Sequence, residues 1–306
     1  MSGPIDERDL ERSEGERVVE AREGRPTTVG GLDIVRVLPT KGRRTVGAWC
    51  FVDLMAPDDI LEPPPMEVGP HPHIGLSTVT WLLSGEALHS DSLGTEQVIR
   101  AGQLNLMTAG HGIAHAELGL QGGRGVQMWV AQPEETRHGG SAFEHHSELP
   151  LWEFGGGEAA VLIGSLGDVV SPATAATPLV GAEFRMQPGS VDVPTDPAFE
   201  YALVPLDGAM RIAEHVVEPG WIGFVEPGHE SVTIEAGAGG GRAMLLGGEP
   251  LGERIQMWWN FVARTKEEIT EAWRAWQEHD TERFDRVPSK LPRIDAPRPP
   301  WLRSTD

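Results

Sequence analysis

The sequence is poor in the features that would tie it to an oxidising compartment, a membrane or a nucleic acid. It has one cysteine, Cys50, among 306 residues, so no intramolecular disulfide can form. That suits a reducing cytoplasm. The apolar neighbours Trp49, Phe51 and Val52 mark Cys50 as a buried structural thiol. No stretch approaches the roughly 20 apolar residues that a membrane span needs. Met1 to Arg25 is crowded with Asp, Glu and Arg and has no apolar segment, so no signal peptide is expected. Residues 1–16 are expected to be a solvated extension, with the fold beginning near Val18. Basic residues are scarce: 25 Lys and Arg stand against 46 Asp and Glu, for a net charge of −21. This excludes the basic footprint of direct phosphate-backbone binding. It leaves room for a protein partner with a basic patch.

Helical periodicity is almost absent before the C-terminus. What recurs instead is short β-branched and aromatic runs separated by turns, such as Leu76 to Leu83 followed by Ser84-Gly85. The 38 glycines and 25 prolines fit many tight turns and few helices. These features predict an all-β sandwich or barrel. The chain also repeats itself. Val98 to His111 aligns with Val216 to His229, and Leu83-Ser84-Gly85 with Leu206-Asp207-Gly208. Two copies of one β-domain are expected.

The first copy carries two histidine clusters, His71-Pro72-His73 and His111-Gly112-Ile113-Ala114-His115-Ala116-Glu117. In a strand, residues i and i+2 share a face. His71 with His73, and His115 with Glu117, can therefore converge on one point. Three imidazoles and a carboxylate suit one divalent transition metal, and four protein ligands leave positions open on an ion that prefers six. In the second copy, His71 and His73 fall opposite Pro194 and Asp196, His115 opposite Thr233, and Glu117 opposite Glu235. A metal is thus expected in the N-terminal half alone.

From about Arg17 to about Arg283 the chain resembles the pirin family of the cupin superfamily. The resemblance rests on Gly69-Pro70-His71-Pro72-His73-Ile74-Gly75, on Asp91-Ser92-Leu93-Gly94 and on Met107 to Glu117. Val126 to Ala131, Phe143 to His146 and Gly247 to Leu251 add to it. It implies two jelly-roll cupin β-barrels packed face to face, with one metal, usually iron, in the first. It implies His71, His73, His115 and Glu117 as ligands. Residues 1–149 would be the metal-binding cupin and 150–306 a structural cupin. The chain departs from many pirins at Ile74 and at His111, both beside the pocket. His111 is either a pocket group or a turn residue.

The resemblance implies a metal-dependent dioxygenase of the quercetin 2,3-dioxygenase type, acting on flavonol-like aromatic enols with dioxygen. Fe(II) is the metal expected, with Ni, Cu, Mn, Co or Zn as alternatives. Glu117 would be the catalytic base, with Met107 and Trp129 candidate pocket residues. The alternative is a non-enzymatic, iron-redox-sensing regulator that binds protein partners. Near the C-terminus, Thr265-Lys266-Glu267-Glu268 is a capping box opening a helix over 265–279. Ile269, Ala272, Trp273 and Trp276 follow at helical spacing. This helix is expected on the outside of the second barrel. The proline-rich stretch from Pro288 to Pro300 is expected to be extended and to clasp the body through Trp301.

Overall fold

Two similar β-barrels make up the protein in a computed structural model that describes residues 20–55 and 65–302. The expected N-terminal extension and its junction near Val18 lie outside the described residues. The larger sheet of the first barrel runs, in spatial order, Ala142–His146, Leu104–Thr108, Leu76–Leu82, Gly125–Ala131, Trp49–Met55, Leu32–Leu38 and Arg25–Val29. Its smaller sheet runs Glu67–His73, Ile113–Gln121, Glu86–Asp91 and Glu96–Arg100. Every pairing in these sheets is antiparallel. The second barrel repeats the plan with an eight-stranded and a four-stranded sheet. Among the described residues no helix is long and apolar enough to cross a membrane.

The strands Trp49–Met55 and Leu76–Leu82 are buried along their whole length, because both faces are covered. Alternation sends each residue one way or the other. Trp49, Val52, Leu54, Val79, Trp81, Val126 and Met128 point away from the first barrel's interior. They meet Leu162, Val204, Phe224, Met244 and Leu246 of the second. Trp49 crosses this seam: its indole N–H reaches the carbonyl oxygens of Val180 and Gly247 at 3.1 and 3.2 Å. Gly181 gives the ring its space, since a Cβ there would lie 2.8 Å from Trp49 Cζ2. The alternate residues Phe51, Asp53, Met55, Gln127 and Trp129 face inward.

The second barrel is filled with hydrocarbon. Val193, Val232, Ile234 and Ala236 occupy its interior. Thr233 and Glu235 are exposed; Thr233 Oγ1 donates to Asp192 at 2.6 Å, and Glu235 pairs with Arg211 at 3.4 Å. Asp196 is exposed in a turn and accepts from the Ala198 N–H at 2.9 Å. The repeat alignment therefore needs correction. It set Thr233 and Glu235 against the inward His115 and Glu117, but the second strand presents the opposite parity. A one-residue slip sends every side chain to the other face.

The chain ends are exchanged between the barrels. Near the N-terminus, Ala21–Glu23 pairs with Trp221–Val225 of the second barrel. Near the C-terminus, the helix Lys266–Gln277 packs on the first barrel, not on the second as the sequence suggested. Ile269, Ala272 and Trp276 join Trp259, Phe261 and Phe284 against Ile74 and Ala114, which flank the ligand positions. Arg137 fixes the helix by two hydrogen bonds to Glu268, at 3.0 and 3.1 Å. The expected cap is present: Thr265 Oγ1 accepts from the Glu268 N–H at 3.2 Å. The reciprocal bond goes one residue further back, from the Arg264 N–H to Glu268 at 2.9 Å.

Candidate metal centre

The smaller sheet of the first barrel aligns the histidines. His115 lies directly opposite His71 on one side and Asp91 on the other. His71 and His73 share an inward face by their two-residue spacing. One ligand atom from each of His71, His73 and His115 lies within 4.8 Å of the other two, and all three residues are buried. His73 Nε2 and His115 Nε2 are 3.1 Å apart. Two nitrogens bound to one ion at 2.0–2.1 Å and at right angles would stand about 2.9 Å apart, so this edge fits a shared metal.

The outer nitrogens of the three rings are all occupied. His71 Nδ1 meets the Gly69 carbonyl at 2.9 Å, and His73 Nδ1 meets the Asn260 carbonyl at 3.1 Å. A carbonyl only accepts, so each Nδ1 carries the proton and each Nε2 offers its lone pair inward. His115 Nδ1 meets His89 Nδ1 at 3.4 Å, and His89 Nε2 meets Asp91 Oδ2 at 3.2 Å. The carboxylate fixes the His89 proton on Nε2, which leaves His89 Nδ1 to accept from His115. Asp91 Oδ1 is held by the N–H groups of Leu93 and Thr95 at 2.9 and 3.0 Å. A chain of outer partners that orients metal-binding imidazoles is the usual companion of such a centre.

Burial keeps these rings neutral. Desolvation lowers His71 to about 4 and places His73 and His115 well below the usual histidine range. A neutral imidazole is the form that binds a metal. Desolvation also raises the Glu117 carboxyl above its ordinary value, with His89 pulling the other way. Burial raises Asp91 too, but hydrogen bonds from His89 and Thr95 outweigh it and leave the group lowered.

Glu117 is buried and lines the same cavity as the histidines. Its carboxylate does not join the 4.8 Å group. The pairing between His115 and Glu117 is irregular: His115 faces His71 but Glu117 faces Val68, so Gly69 and Pro70 together stand against Ala116. Glu117 also borders a second cavity of about 30 Å³, beside His89 and Asn105, with room for one water.

The histidine cluster opens into a cavity of about 420 Å³. Phe51 and Trp129 form one wall, stacked at 3.9 Å with 11° between their planes. The Arg36 guanidinium lies 4.3 Å over Phe51 and holds Asp53 through two bonds of 2.7 Å. Trp129 was a candidate pocket residue and lines this cavity. Met107 does not; it packs with Ala109, Ile113 and Phe143. His111 is exposed, with Arg283 donating to its carbonyl at 3.1 Å and His138 at 6.2 Å. It is a surface turn residue.

Three contributors escaped the sequence reading. His89 had a signal, since His89-Ser90-Asp91 repeats the two-residue spacing of the ligands within the same region. Asn260 acts through its backbone carbonyl and leaves no trace in residue type. The tail residues that reach the cavity are distant in sequence.

The pirin profile matches residues 31–130, and the pirin C-terminal cupin domain matches 181–284. The chain belongs to the pirin family. A Pseudomonas aeruginosa protein that bears the provisional name quercetin 2,3-dioxygenase is 43% identical over 277 residues, covering 89% of this chain and 87% of that one. A pirin-like protein of Caulobacter vibrioides is 36% identical over 266 residues, covering 83% and 91%. Among solved structures, a quercetin 2,3-dioxygenase from Acinetobacter baumannii superposes with a TM-score of 0.87 at 38% identity, over 94% of this chain and 98% of that one. A bacterial pirin from Escherichia coli in complex with nickel(II) shares the fold, with a TM-score of 0.62 at 15% identity, over 76% and 100%.

Proposed function

We propose that this pirin is a metal-dependent dioxygenase of the quercetin 2,3-dioxygenase type, acting on flavonol-like aromatic enols. The observation that carries the proposal is the opening of the three-histidine cluster into a 420 Å³ cavity lined in part by Phe51 and Trp129. That volume lies in the range of small-molecule sites, which are largely apolar with a few polar groups in place. The likeness to named quercetin 2,3-dioxygenases supports the same reading.

His71, His73 and His115 would hold the ion, with Glu117 as fourth ligand. Three imidazoles and a carboxylate suit Fe(II), and the same donors accept Ni, Cu, Mn, Co or Zn. Bound there, a divalent ion supplies Lewis acidity that lowers the pKa of a substrate hydroxyl. Glu117 takes the hydroxyl proton, since its carboxylate is the acidic side chain that lines the cavity beside the three histidines. Phe51 and Trp129 give the cavity an aromatic side, with Phe51 itself sandwiched between Trp129 and the Arg36 guanidinium. Dioxygen is the second substrate, and the single buried Cys50 suits a cytoplasmic setting.

Oxygen uptake on a flavonol panel tests the reading, with protein reconstituted separately with Fe(II), Ni(II), Cu(II), Mn(II) and Co(II). Glu117→Gln should lower turnover by about 10²–10⁴-fold, the usual span for a lost general base, while bound metal persists. Parallel loss of metal and turnover would make Glu117 chiefly a ligand. No uptake with any metal would refute the dioxygenase and leave the redox-sensing regulator.

A further inference from the structure

The tail after the C-terminal helix does more than clasp the body. Its backbone is pinned by indole groups. Trp276 donates to the Ile294 carbonyl at 2.9 Å, Trp273 to the Ala296 carbonyl at 3.2 Å, and Trp258 to the Pro297 carbonyl at 3.3 Å. Three rigid donors thus hold a stretch of four residues that has no helix or strand of its own. The Ile294 N–H in turn donates to the Pro70 carbonyl at 2.9 Å, next to the ligand position His71. At Gly69 the approach is closer still: a Cβ there would lie 1.9 Å from the Pro292 carbonyl oxygen. Only glycine admits the tail at this point.

This pinned segment faces the site. Ile294, Asp295, Ala296 and Pro297 line the 420 Å³ cavity together with the histidines. The rest of the cavity wall comes largely from the first barrel, which the pirin profile matches, whereas the C-terminal profile stops at residue 284. The tail is therefore an addition to the matched region that completes one side of the cavity.

We propose that the segment 294–297 is the specificity-determining wall of the metal cavity, with Ile294 and Pro297 setting the width available to a planar aromatic ligand. The wall is rigid because three of its four carbonyls are held by tryptophans, so it does not yield to a larger ligand. The substrate part of this inference rests on the dioxygenase reading; the access part does not.

Access is measured first, on Zn(II)-loaded protein. The readout is the rate of zinc transfer to 4-(2-pyridylazo)resorcinol, a planar two-ring chelator. Ile294→Trp narrows the cavity and should slow transfer about 10-fold or more, while Ile294→Ala widens it and should speed transfer by about the same factor, as expected when a pocket changes by a few methylenes. Zinc content should match the wild type in both. Where Ile294→Trp fails to fold, Ile294→Ala and Pro297→Ala carry the test. Equal rates in all folded variants overturn the proposal. The substrate arm compares quercetin with 3-hydroxychromone, which lacks the pendant ring. Ile294→Trp should raise KM for quercetin about 10-fold with kcat held, and leave 3-hydroxychromone nearly unchanged. Equal effects on both substrates overturn the assignment of width to this wall. Should no flavonol turn over even in the wild type, the dioxygenase reading fails and the zinc-transfer rates still decide the wall.

Discussion

Replacing His89 by phenylalanine isolates the contribution of a residue that touches no proposed substrate. The ring remains, and so does its stack on Phe143, at 4.5 Å and 22°. Asp91 keeps the N–H donors of Leu93 and Thr95 on Oδ1. Two things disappear: the donor to Asp91 Oδ2, lost with or without metal, and the acceptor for His115 Nδ1–H. In metal-free protein His115 can move its proton to Nε2 and donate to His73 Nε2 at 3.1 Å. A metal on Nε2 forbids that escape. The cost of the lost acceptor therefore falls on the metal-bound form alone, while the loss at Asp91 is common to both forms and cancels in the affinity. An unsatisfied buried donor costs about 1–3 kcal/mol, and the long 3.4 Å contact argues for the lower end. Loss of an outer partner typically weakens metal affinity by about 10–100-fold. His89→Phe should accordingly weaken Zn(II) binding by about 10-fold, near 1.4 kcal/mol, in competitive titration against a chelator of known affinity. His89→Gln, which offers a carbonyl acceptor, should recover part of the loss. Unaltered affinity in His89→Phe would refute the assignment of proton positions along His115, His89 and Asp91.

Two further outcomes follow from burial. His71 stands at about 4 in the folded chain, against an ordinary value near 6.5 in the unfolded one. The stability that depends on its neutral form is complete above about pH 6.5 and is lost as pH falls towards 4. A tenfold change in proton affinity is worth about 1.4 kcal/mol, so this ring alone accounts for about 3 kcal/mol. Denaturant unfolding of metal-free protein from pH 7 to pH 4 reads this slope, and a flat profile would contradict it. Trp49→Ala should cost about 3–5 kcal/mol, as large aromatic truncations in a core do, because it empties the seam and strips the Val180 and Gly247 carbonyls of a shared donor. A loss below about 1 kcal/mol in equilibrium unfolding would show that the seam repacks freely.

Much of this protein was legible in residue order because its information is local. A two-residue spacing puts His71 with His73 on one strand face whatever the strand pairs with. Turn residues at short intervals dictate strands. Thr265 starts a helix because its hydroxyl reaches an N–H three residues on. The repeat gave two barrels and the restriction of the histidine cluster to one of them. The same repeat misjudged which residues of the second copy face inward. Parity depends on how a strand enters its sheet, and one residue of slip places Thr233 and Glu235 outside while Val232 and Ile234 fill the interior.

Other features belong to the tertiary structure alone. The helix carries an apolar face, but nothing in that face names the barrel it will cover; Ile74 and Ala114 supplied the match. Glu117 shares a strand with His115, yet the irregular pairing at Gly69 and Pro70 and the exclusion of the carboxylate from the nitrogen group are products of how two strands meet. His89 and Asp91 gain their meaning only when the hairpin brings them beside His115. The amino-acid sequence by itself determined an all-β chain with one buried imidazole cluster, since periodicity and spacing act over a few residues. Only the tertiary structure decided the cavity, its tail-built wall and the proton order around the rings, because those depend on contacts between segments far apart in sequence, such as Pro70 with Ile294, whose geometry no local pattern encodes.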